Sequence, residues 1–524
     1  MSLFVADPVS GRPLYSLETA TPADCQAAMA SARSAAAIVK TAPIQQRLEA
    51  VAAVLAWLGE RREWLLDQIV AESGRSRGDA MLSDLFQLTE DLHWLRANAR
   101  GVLADERIRT PLTLLGKRSR ILHEPRGVVL VISPWNLPLA IGMTAAMFAF
   151  VAGNAVILKP SEHTPMAAAW AEVRTLHPLL AQGLQILHGD GEIGRQLISL
   201  RPDLIAFTGS LSTGQHILSQ AAPLLIPAVM ELGAKDAMLV FADADVPRAV
   251  AAACWGNLHN SGQSCTAVER LYVQRSLFDE FIARLVGASE AIRVGTDAEA
   301  DLGGITTDFQ LQRIEEQVAY ARQQGAVVHC GGRRSDCGRY YLPTVISGVT
   351  SDMLLAQQET FGPVVAVYTF EDEAEAVASH NSSRFGLSTS VWTADRARAE
   401  RLVRALEVGC VNVNNVMLTE GNAGLPFGGV KYSGFGRMKG AEGLRGMTQS
   451  KAVLVDPVRG RPEPNWYPYS AAKLGLMARL LDALARRRPG RWWHLAAIGL
   501  AIDRLVRRQQ GPKASRPISE QLKK

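Results

Sequence analysis

The sequence predicts an α/β protein built from two doubly wound domains, and three observations carry that expectation. From about Arg120 to Glu231, short and wholly apolar runs alternate with longer helix-like segments. A second pattern of the same kind begins near Asp236 and continues to about Val411. The chain has 524 residues, 48% hydrophobic and 20% charged, which is ordinary globular composition and too long for one simple core.

The first hundred residues read as helices. Gln45–Trp64 and Leu82–Leu95 both place apolar residues at helical spacing. Gly127–Ile132 is a β-branched apolar run closed by Ser133-Pro134, which is how a strand buried on both faces of a parallel sheet reads. Leu139–Val151 follows as an apolar helix, Gly153-Asn154 as a turn and Ala155–Leu158 as the next strand. Thr164-Pro165 supplies an N-cap and a first-turn proline for another helix. Leu184–Leu187, Leu204–Phe207 and Ala228–Met230 continue the strand series. Ligands of such sheets bind outside the carboxyl ends of the strands. Asn136, Lys159, Ser210 and Glu231 each stand just after one of these strands.

After Val455 the composition turns Pro-rich and then Arg-rich, the clearest boundary in the chain. Trp466–Lys524 holds thirteen Lys/Arg against three Asp/Glu, so the net +5 of the chain is a basic tail on an acidic body. Leu474, Met477, Leu480, Leu481 and Leu484 share one helical face, followed by Arg486-Arg487-Arg488 and a break at Pro489-Gly490. Trp492-Trp493 then opens an apolar run to Ile502 that ends in Arg504, Arg507 and Arg508. Eleven residues cannot span a bilayer of about 30 Å. The pattern suits an interfacial helix hairpin, a peripheral membrane contact. Packing on the body of the chain or on a partner subunit is the alternative. Nucleic acid is not an expected partner, because the basic residues alternate with an apolar face.

The six cysteines, Cys25, Cys254, Cys265, Cys330, Cys337 and Cys410, form no C-x-x-C pair. That suits free thiols in a reducing compartment and argues against a disulfide frame or a metal site; no metal is expected. The N-terminus lacks the basic and apolar regions of a signal peptide. The expected location is cytoplasmic, with the tail as a peripheral anchor at the inner face of the membrane as the alternative.

Cys265 lies in Asn260-Ser261-Gly262-Gln263-Ser264-Cys265-Thr266, where a helix over Val246–His259 breaks into a polar loop. Backbone N–H groups there can stabilise a thiolate and an oxyanion. Asn136, in the loop after the first strand, can add its side-chain amide. Glu231 follows the strand Ala228–Met230 and reads either as a general base raised by partial burial or as a salt-bridged structural acid. Gly209-Ser210-Leu211-Ser212-Thr213-Gly214 opens a helix, whose free N–H groups suit a pyrophosphate. It is not a P-loop, since Gln215 stands where lysine is required. Gly189-Asp190-Gly191-Glu192-Ile193-Gly194 matches G-x-G-x-x-G but lacks the acidic residue about 20 positions on, so it is read as a strand-to-helix turn. Lys159 and Glu162 can both reach ribose hydroxyls, or can form a solvated charge pair.

Taken together, SPWNLP (133–138), KPSEHTP (159–165), FTGSLSTG (207–214), MELGAKD (230–236), NSGQSCTA (260–267), ETFGPV (359–364) and LPFGGVKYSGFGR (425–437) resemble the aldehyde dehydrogenase superfamily over about residues 1–455. Seven motifs in the family's order, with Cys265 standing 34 positions after Glu231, make the resemblance highly specific. NWYPYSAAKLGLM and the short N-terminus resemble, more loosely, its class of fatty and aromatic aldehyde dehydrogenases. Ala234 stands where the ELGG motif more usually has its second glycine.

The resemblance implies an NAD(P)-dependent oxidation of an aldehyde to the carboxylic acid, through a cysteine thiohemiacetal and a thioester. Cys265 would be the nucleophile, Asn136 with the Cys265 N–H the oxyanion hole, and Glu231 the base that activates water. Ser133, Pro134, Trp135, Lys159, Ser161, Glu162, Thr208, Gly209, Ser210, Thr213, Leu232, Gly233, Glu359 and Phe361 would contact the cofactor, NAD with NADP as the alternative. Glu162 would favour NAD by repelling a 2′-phosphate. The substrate tunnel would be lined by Leu137, Ile141, Thr144, Ser264, Thr266, Gly421 and Phe427. No Arg or Lys stands among them to grip a carboxylate, so a bulky apolar or aromatic aldehyde is expected. A CoA-acylating relative is disfavoured, because Glu231 as hydrolytic base would waste the thioester. The implied organisation is a cofactor domain over 1–105 and 125–232, a catalytic domain over 233–412, an oligomerisation element over 106–124 and 413–455, and a basic tail over 456–524. A homodimer or homotetramer is implied.

Overall fold

The computed structural model describes residues 2–509 except 115, 296, 298, 337, 458–462 and 486–490. Cys337, the Arg486–Arg488 run and the Pro489-Gly490 break therefore lie outside the described residues, as does 510–524. Its contacts divide the chain into two compact units, one of residues 1–104 with 123–450, the other of 105–122 with 451–524.

The larger unit holds two doubly wound sheets, as the alternating runs predict. The first has six strands in the order Gly434–Phe435, Ala228–Glu231, Leu204–Thr208, Val128–Ile132, Ala155–Lys159, Leu184–Ile186. All are parallel except Gly434–Phe435, which runs antiparallel to Ala228–Glu231. Val128–Ile132 is buried at every position. Its pleat sends Val128, Leu130 and Ile132 into one core with Ile193, Leu197 and Ile217, and Val129 and Val131 into the other with Leu92 and Phe148. A side chain on each face of a covered sheet must be apolar, which is why the run carries no polar residue. The order reverses between Val128–Ile132 and Leu204–Thr208, and a crevice opens at that switch point beyond their carboxyl ends.

The second sheet has seven strands, ordered Val327–Cys330, Thr344–Ser347, Val364–Phe370, Val268–Gln274, Asp236–Val240, Ser388–Trp392, Cys410–Val413, with only the first antiparallel. Val246–Leu258 and Phe278–Glu290 cover one face; Asp308–Gln323, Glu373–Asn381 and Arg396–Ala405 cover the other.

Four local expectations change. The chain opens on an antiparallel hairpin, Ser2–Ala6 with Pro13–Glu18, not on helix; only Val5 in its eleven strand residues is buried, so the apolar pattern is weak. Gln45–Trp64 is two helices, Ile44–Glu60 and Arg62–Ser73, because Arg61 leaves helical geometry at φ −98°, ψ 8°. Leu82 lies in a seven-residue π-helical segment, Ala80–Phe86, ahead of the α-helix Gln87–Val102. Thr164 caps no helix: the next one, Ala167–Thr175, starts after Met166 at φ 47°, while the Thr164 hydroxyl donates to the Trp135 carbonyl at 3.0 Å.

The smaller unit contains a three-stranded sheet, ordered Thr448–Val455, Arg118–Pro125, Glu106–Ile108, and two helices, Ala471–Ala485 and Arg491–Gln509. Ile498, Ile502 and Val506 pack against Leu476, Leu480 and Ala483 along the seam of these helices. Leu474, Leu481, Leu484, Trp493 and Leu500 stay exposed. Leu480 thus packs in the seam, whereas Leu474, Leu481 and Leu484, expected on the same face, are exposed. Among the described residues no helix is long and apolar enough to cross a membrane.

Candidate active site

A cavity of about 670 Å³ opens in the larger unit, a size that suits a cofactor or small substrate. All fourteen residues expected to face the cofactor line it. Lys159 ends its strand 3% exposed, its Nζ donating to the carbonyls of Pro160 (3.0 Å) and Gly189 (2.7 Å) and to Glu162 (3.4 Å). It is therefore no solvated pair, and burial lowers the ammonium's pKa. Ser210 caps the helix Leu211–Ala221 by accepting from Thr213 N. A Cβ on Gly209 would meet the Phe207 ring at 2.6 Å, and one on Gly214 would meet Leu232 at 2.4 Å, so both glycines serve close packing. The Gly189–Gly194 segment is the expected turn: Asp190 caps the helix Gly191–Ser199 through Glu192 N, although Gly191 does reach the cavity wall.

Glu359 accepts the Ala234 N–H at 2.9 Å, so the alanine variant of the ELGG turn keeps its backbone donor. Burial pushes the Glu359 carboxyl up to about 8. A Cβ on Gly233 would stand 2.6 Å from that carboxylate. Phe361 sits at φ 52° and meets Trp135 edge-on at 5.4 Å. The loop is held from below by Glu269, a residue the motifs do not reveal. Glu269 accepts the N–H groups of Thr360 and Phe361, both at 2.8 Å, and pairs with buried Lys235.

Cys265 follows a sharp break. Val246–Leu258 ends, and Asn260, Ser261 and Gly262 turn at φ 56°, 57° and 70°. Gln263 locks the turn, donating to Asn260 and Gly304 carbonyls and accepting from Thr306 N. The Asn136 amide donates to the Gln263 carbonyl at 3.0 Å, which brings the loop after the first strand to the loop that carries Cys265. One Asn136 N–H remains for another acceptor, since the amide carries two. Among the described cysteines Cys265 alone is not buried, and it lines the cavity. Loss of hydration inside the cavity, then Glu420 and Glu231, raise its thiol well above the usual range.

Glu231 shares the cavity, 4% exposed, with both carboxylate oxygens lacking any hydrogen-bond partner among the described residues. Burial raises its carboxyl well above the ordinary value against the pull of Arg437 and Lys439. Among the described residues it forms no ion pair, so the salt-bridged alternative does not hold there. A buried, unpartnered carboxylate is costly and marks a functional group.

On the other side of Cys265, Leu137, Ile141, Thr144, Gly421 and Phe427 line the cavity as expected. Ser264 and Thr266 do not: Thr266 is turned to Glu420, to which it donates at 2.9 Å, and the Ser264 hydroxyl meets that of Thr266 at 3.1 Å. The same wall includes Ser83, Asp91, Trp255, His259, Met417, Leu418, Glu420, Met438 and Lys439, which the motifs leave unmarked. Lys439 is a cation on this wall, but it pairs with Asp91 at 3.1 Å, and Asp91 also accepts from Thr144 at 2.9 Å. His259 lies 2.7 Å from Asp79 and 3.1 Å from the Ser83 hydroxyl. Leu137, Ile141, Thr144, Gly421 and Phe427 are the residues of this lining that the motifs mark.

A thiol on a polar turn, an amide beside its loop and a buried carboxylate without a partner among the described residues are groups able to form, protect and hydrolyse an acyl thiol. The comparisons agree with that chemistry. The aldehyde dehydrogenase family model matches residues 2–453. A 4,4'-diapolycopene aldehyde oxidase of Methylomonas sp is 38% identical over 90% of this chain and 89% of its own. A putative succinate-semialdehyde dehydrogenase (NADP+) of Mycobacterium ulcerans is 34% identical over 87% of this chain and 90% of its own. Among solved structures, a Mycobacterium tuberculosis aldehyde dehydrogenase complexed with NAD+ superposes with TM-score 0.82 at 31% identity, covering 89% of this chain and 96% of its own. An E. coli NADP dependent enzyme gives 0.83 at 28%, covering 87% and 95%. With the family matched across the body that carries this cavity, the chain belongs to the aldehyde dehydrogenase family and is an oxidoreductase acting on aldehydes.

Proposed function

We propose that the chain oxidises an apolar aliphatic or aromatic aldehyde to its carboxylic acid, with Cys265 as nucleophile, Asn136 in the oxyanion hole and Glu231 as the base for water. The observation that carries this reading is the pair formed by an accessible thiol and an orphaned buried carboxylate on one cavity wall. Cys265 adds to the carbonyl carbon, and the developing oxyanion is met by the free Asn136 N–H and the Cys265 backbone N–H. Glu231 then takes a proton from water as the water attacks the thioester, and the acid leaves. CoA transfer is not favoured, since an unpaired base beside the thioester serves hydrolysis.

The residues on the cofactor wall fit a nicotinamide dinucleotide. Lys159 and Glu162 would hold the adenosine ribose, Gly209 and Ser210 at a helix N-terminus the pyrophosphate, and Glu359 with Phe361 the nicotinamide end. When bound, the nicotinamide supplies the acceptor for the substrate's hydride. Glu162 lines the wall and favours NAD, with NADP as the alternative; solved relatives are described with each. Leu137, Ile141, Trp255, Met417, Leu418 and Met438 supply an apolar surface for the substrate, and Lys439 is already engaged by Asp91. The diapolycopene aldehyde oxidase among the relatives is consistent with an apolar substrate; the succinate-semialdehyde relatives offer the charged alternative. NADH formation across hexanal, benzaldehyde and succinic semialdehyde, with and without CoA, tests the reading. Preference for succinic semialdehyde, or dependence on CoA, would overturn it.

A second reading concerns the tail. The exposed Leu474, Leu481, Trp493 and Leu500, with Arg479, Arg504 and Arg508 on the same two helices, support a peripheral contact with an anionic membrane surface. A homodimer or homotetramer, assembled through 106–124 and 413–455, belongs to the same proposal, as does the division into cofactor domain (1–105, 125–232) and catalytic domain (233–412).

A further inference from the structure

Thr266, the residue after Cys265, donates its hydroxyl to Glu420 at 2.9 Å. Glu420 lies on the four-residue turn Leu418–Gly421, which Met417 enters at φ 59°. The Lys439 ammonium fixes that turn by donating to the Glu420 carbonyl at 3.0 Å. Glu420 and Cys265 line the same cavity. Of the carboxylates around the thiol, Glu420 acts on it most strongly, ahead of Glu231, Asp236 and Glu359. Glu231 stands against a different segment: a Cβ on Gly428 would come within 2.6 Å of its Oε1. Two carboxylates therefore flank one thiol, and groups sharing a buried site do not all carry charge at once. Lys439 faces both carboxylates; His259 and Asp91 also face Glu420, and Arg437 faces Glu231.

We propose that Glu420 takes the thiol proton of Cys265, which leaves Glu231 free for the water step. The proposal rests on Cys265 being the nucleophile. The S–H bond breaks, its electron pair stays on sulfur, and the proton forms an O–H bond on the Glu420 carboxylate, directly or over one bridging water. When the thioester is hydrolysed the sulfur regains its electron pair, and Glu420 returns the proton to it. Thr266 orients the carboxylate, which gives the position after the nucleophile a use other than lining the tunnel.

The test is the rate of Cys265 alkylation by iodoacetamide in the full chain without cofactor, from mildly acidic to alkaline pH. At neutral pH Glu420→Gln should slow alkylation by roughly tenfold or more, while Glu231→Gln stays within about twofold of wild type. The gap should close at alkaline pH, where solvent removes the thiol proton. A carboxylate that only repels the thiolate predicts the opposite sign, so faster or unchanged alkylation in Glu420→Gln overturns the proposal. If Glu420→Gln does not fold, Thr266→Val decides: a several-fold slowing supports the proposal and no change overturns it. Wild-type chain that takes no label at Cys265 would remove the nucleophile assignment and this proposal with it. Failure of Glu420 alone leaves that wild-type labelling intact.

Discussion

The carboxylate of Asp84 accepts the backbone N–H of Ala140 at 2.8 Å, and that of Leu139 at 3.1 Å. Through this contact the π-helical segment caps the helix Ala140–Val151, which begins just past Asn136 and carries Ile141 and Thr144 into the cavity. Arg75, itself buried, neutralises the same carboxylate. Asp84→Ala should therefore lose about 3–5 kcal/mol, since it strands a buried guanidinium and two helix-start donors. Urea unfolding measures it, and a change below about 0.5 kcal/mol, the size of an ordinary surface substitution, would contradict this account.

Glu269 is expected to act on the cofactor without touching it. Its two N–H acceptors set the Thr360-Phe361 backbone, with Phe361 at positive φ. Glu269→Gln leaves Lys235 without its charge partner and should weaken NAD binding by roughly tenfold, the scale of losing one charged hydrogen bond. Titration of the apoenzyme by tryptophan fluorescence checks this, and an unchanged Kd would show that the loop holds its own shape.

The pH dependence follows from Glu231. A base works only when ionised, and burial raises this carboxyl, so the ionised fraction grows as pH rises through the elevated pKa. Turnover limited by thioester hydrolysis should climb from mildly acidic to mildly alkaline pH. Glu231→Gln should abolish that climb and slow steady-state turnover by about 10²–10⁴, while a first burst of NADH survives. Loss of the burst would mean that Glu231 acts before hydride transfer.

Which parts of this were legible beforehand follows from how locally they are encoded. Val128–Ile132 had to be apolar on both faces, and that constraint is written in five consecutive residues. Cys265, Glu231 and the cofactor-wall residues sit in short motifs for the same reason. Glu269 and Asp84 escaped, because their partners lie 91 to 92 and 55 to 56 positions away. Thr164-Pro165 satisfied the rule for a helix start, yet the Trp135 carbonyl competed for the hydroxyl and won. Its place beside Cys265 puts Thr266 on the tunnel wall by sequence, but 154 positions on, Glu420 turns it away.

The tail makes its own prediction. Full-length chain should co-sediment with liposomes of anionic lipid, less so as salt rises, and a chain ending at Pro464 should not. Equal partitioning of the two would leave the exposed Leu481 and Trp493 to another subunit or to the enzyme body.

If Cys265 carries the acyl group while Glu231 awaits water, removing the base should trap the thioester. Intact-protein and peptide mass spectrometry of Glu231→Gln, mixed with hexanal and NAD, tests it most directly. The account predicts one hexanoyl adduct, on the peptide that contains Cys265, removable by hydroxylamine and absent from Cys265→Ala. An adduct on another residue, or NADH formed by Cys265→Ala at the wild-type rate, would contradict it.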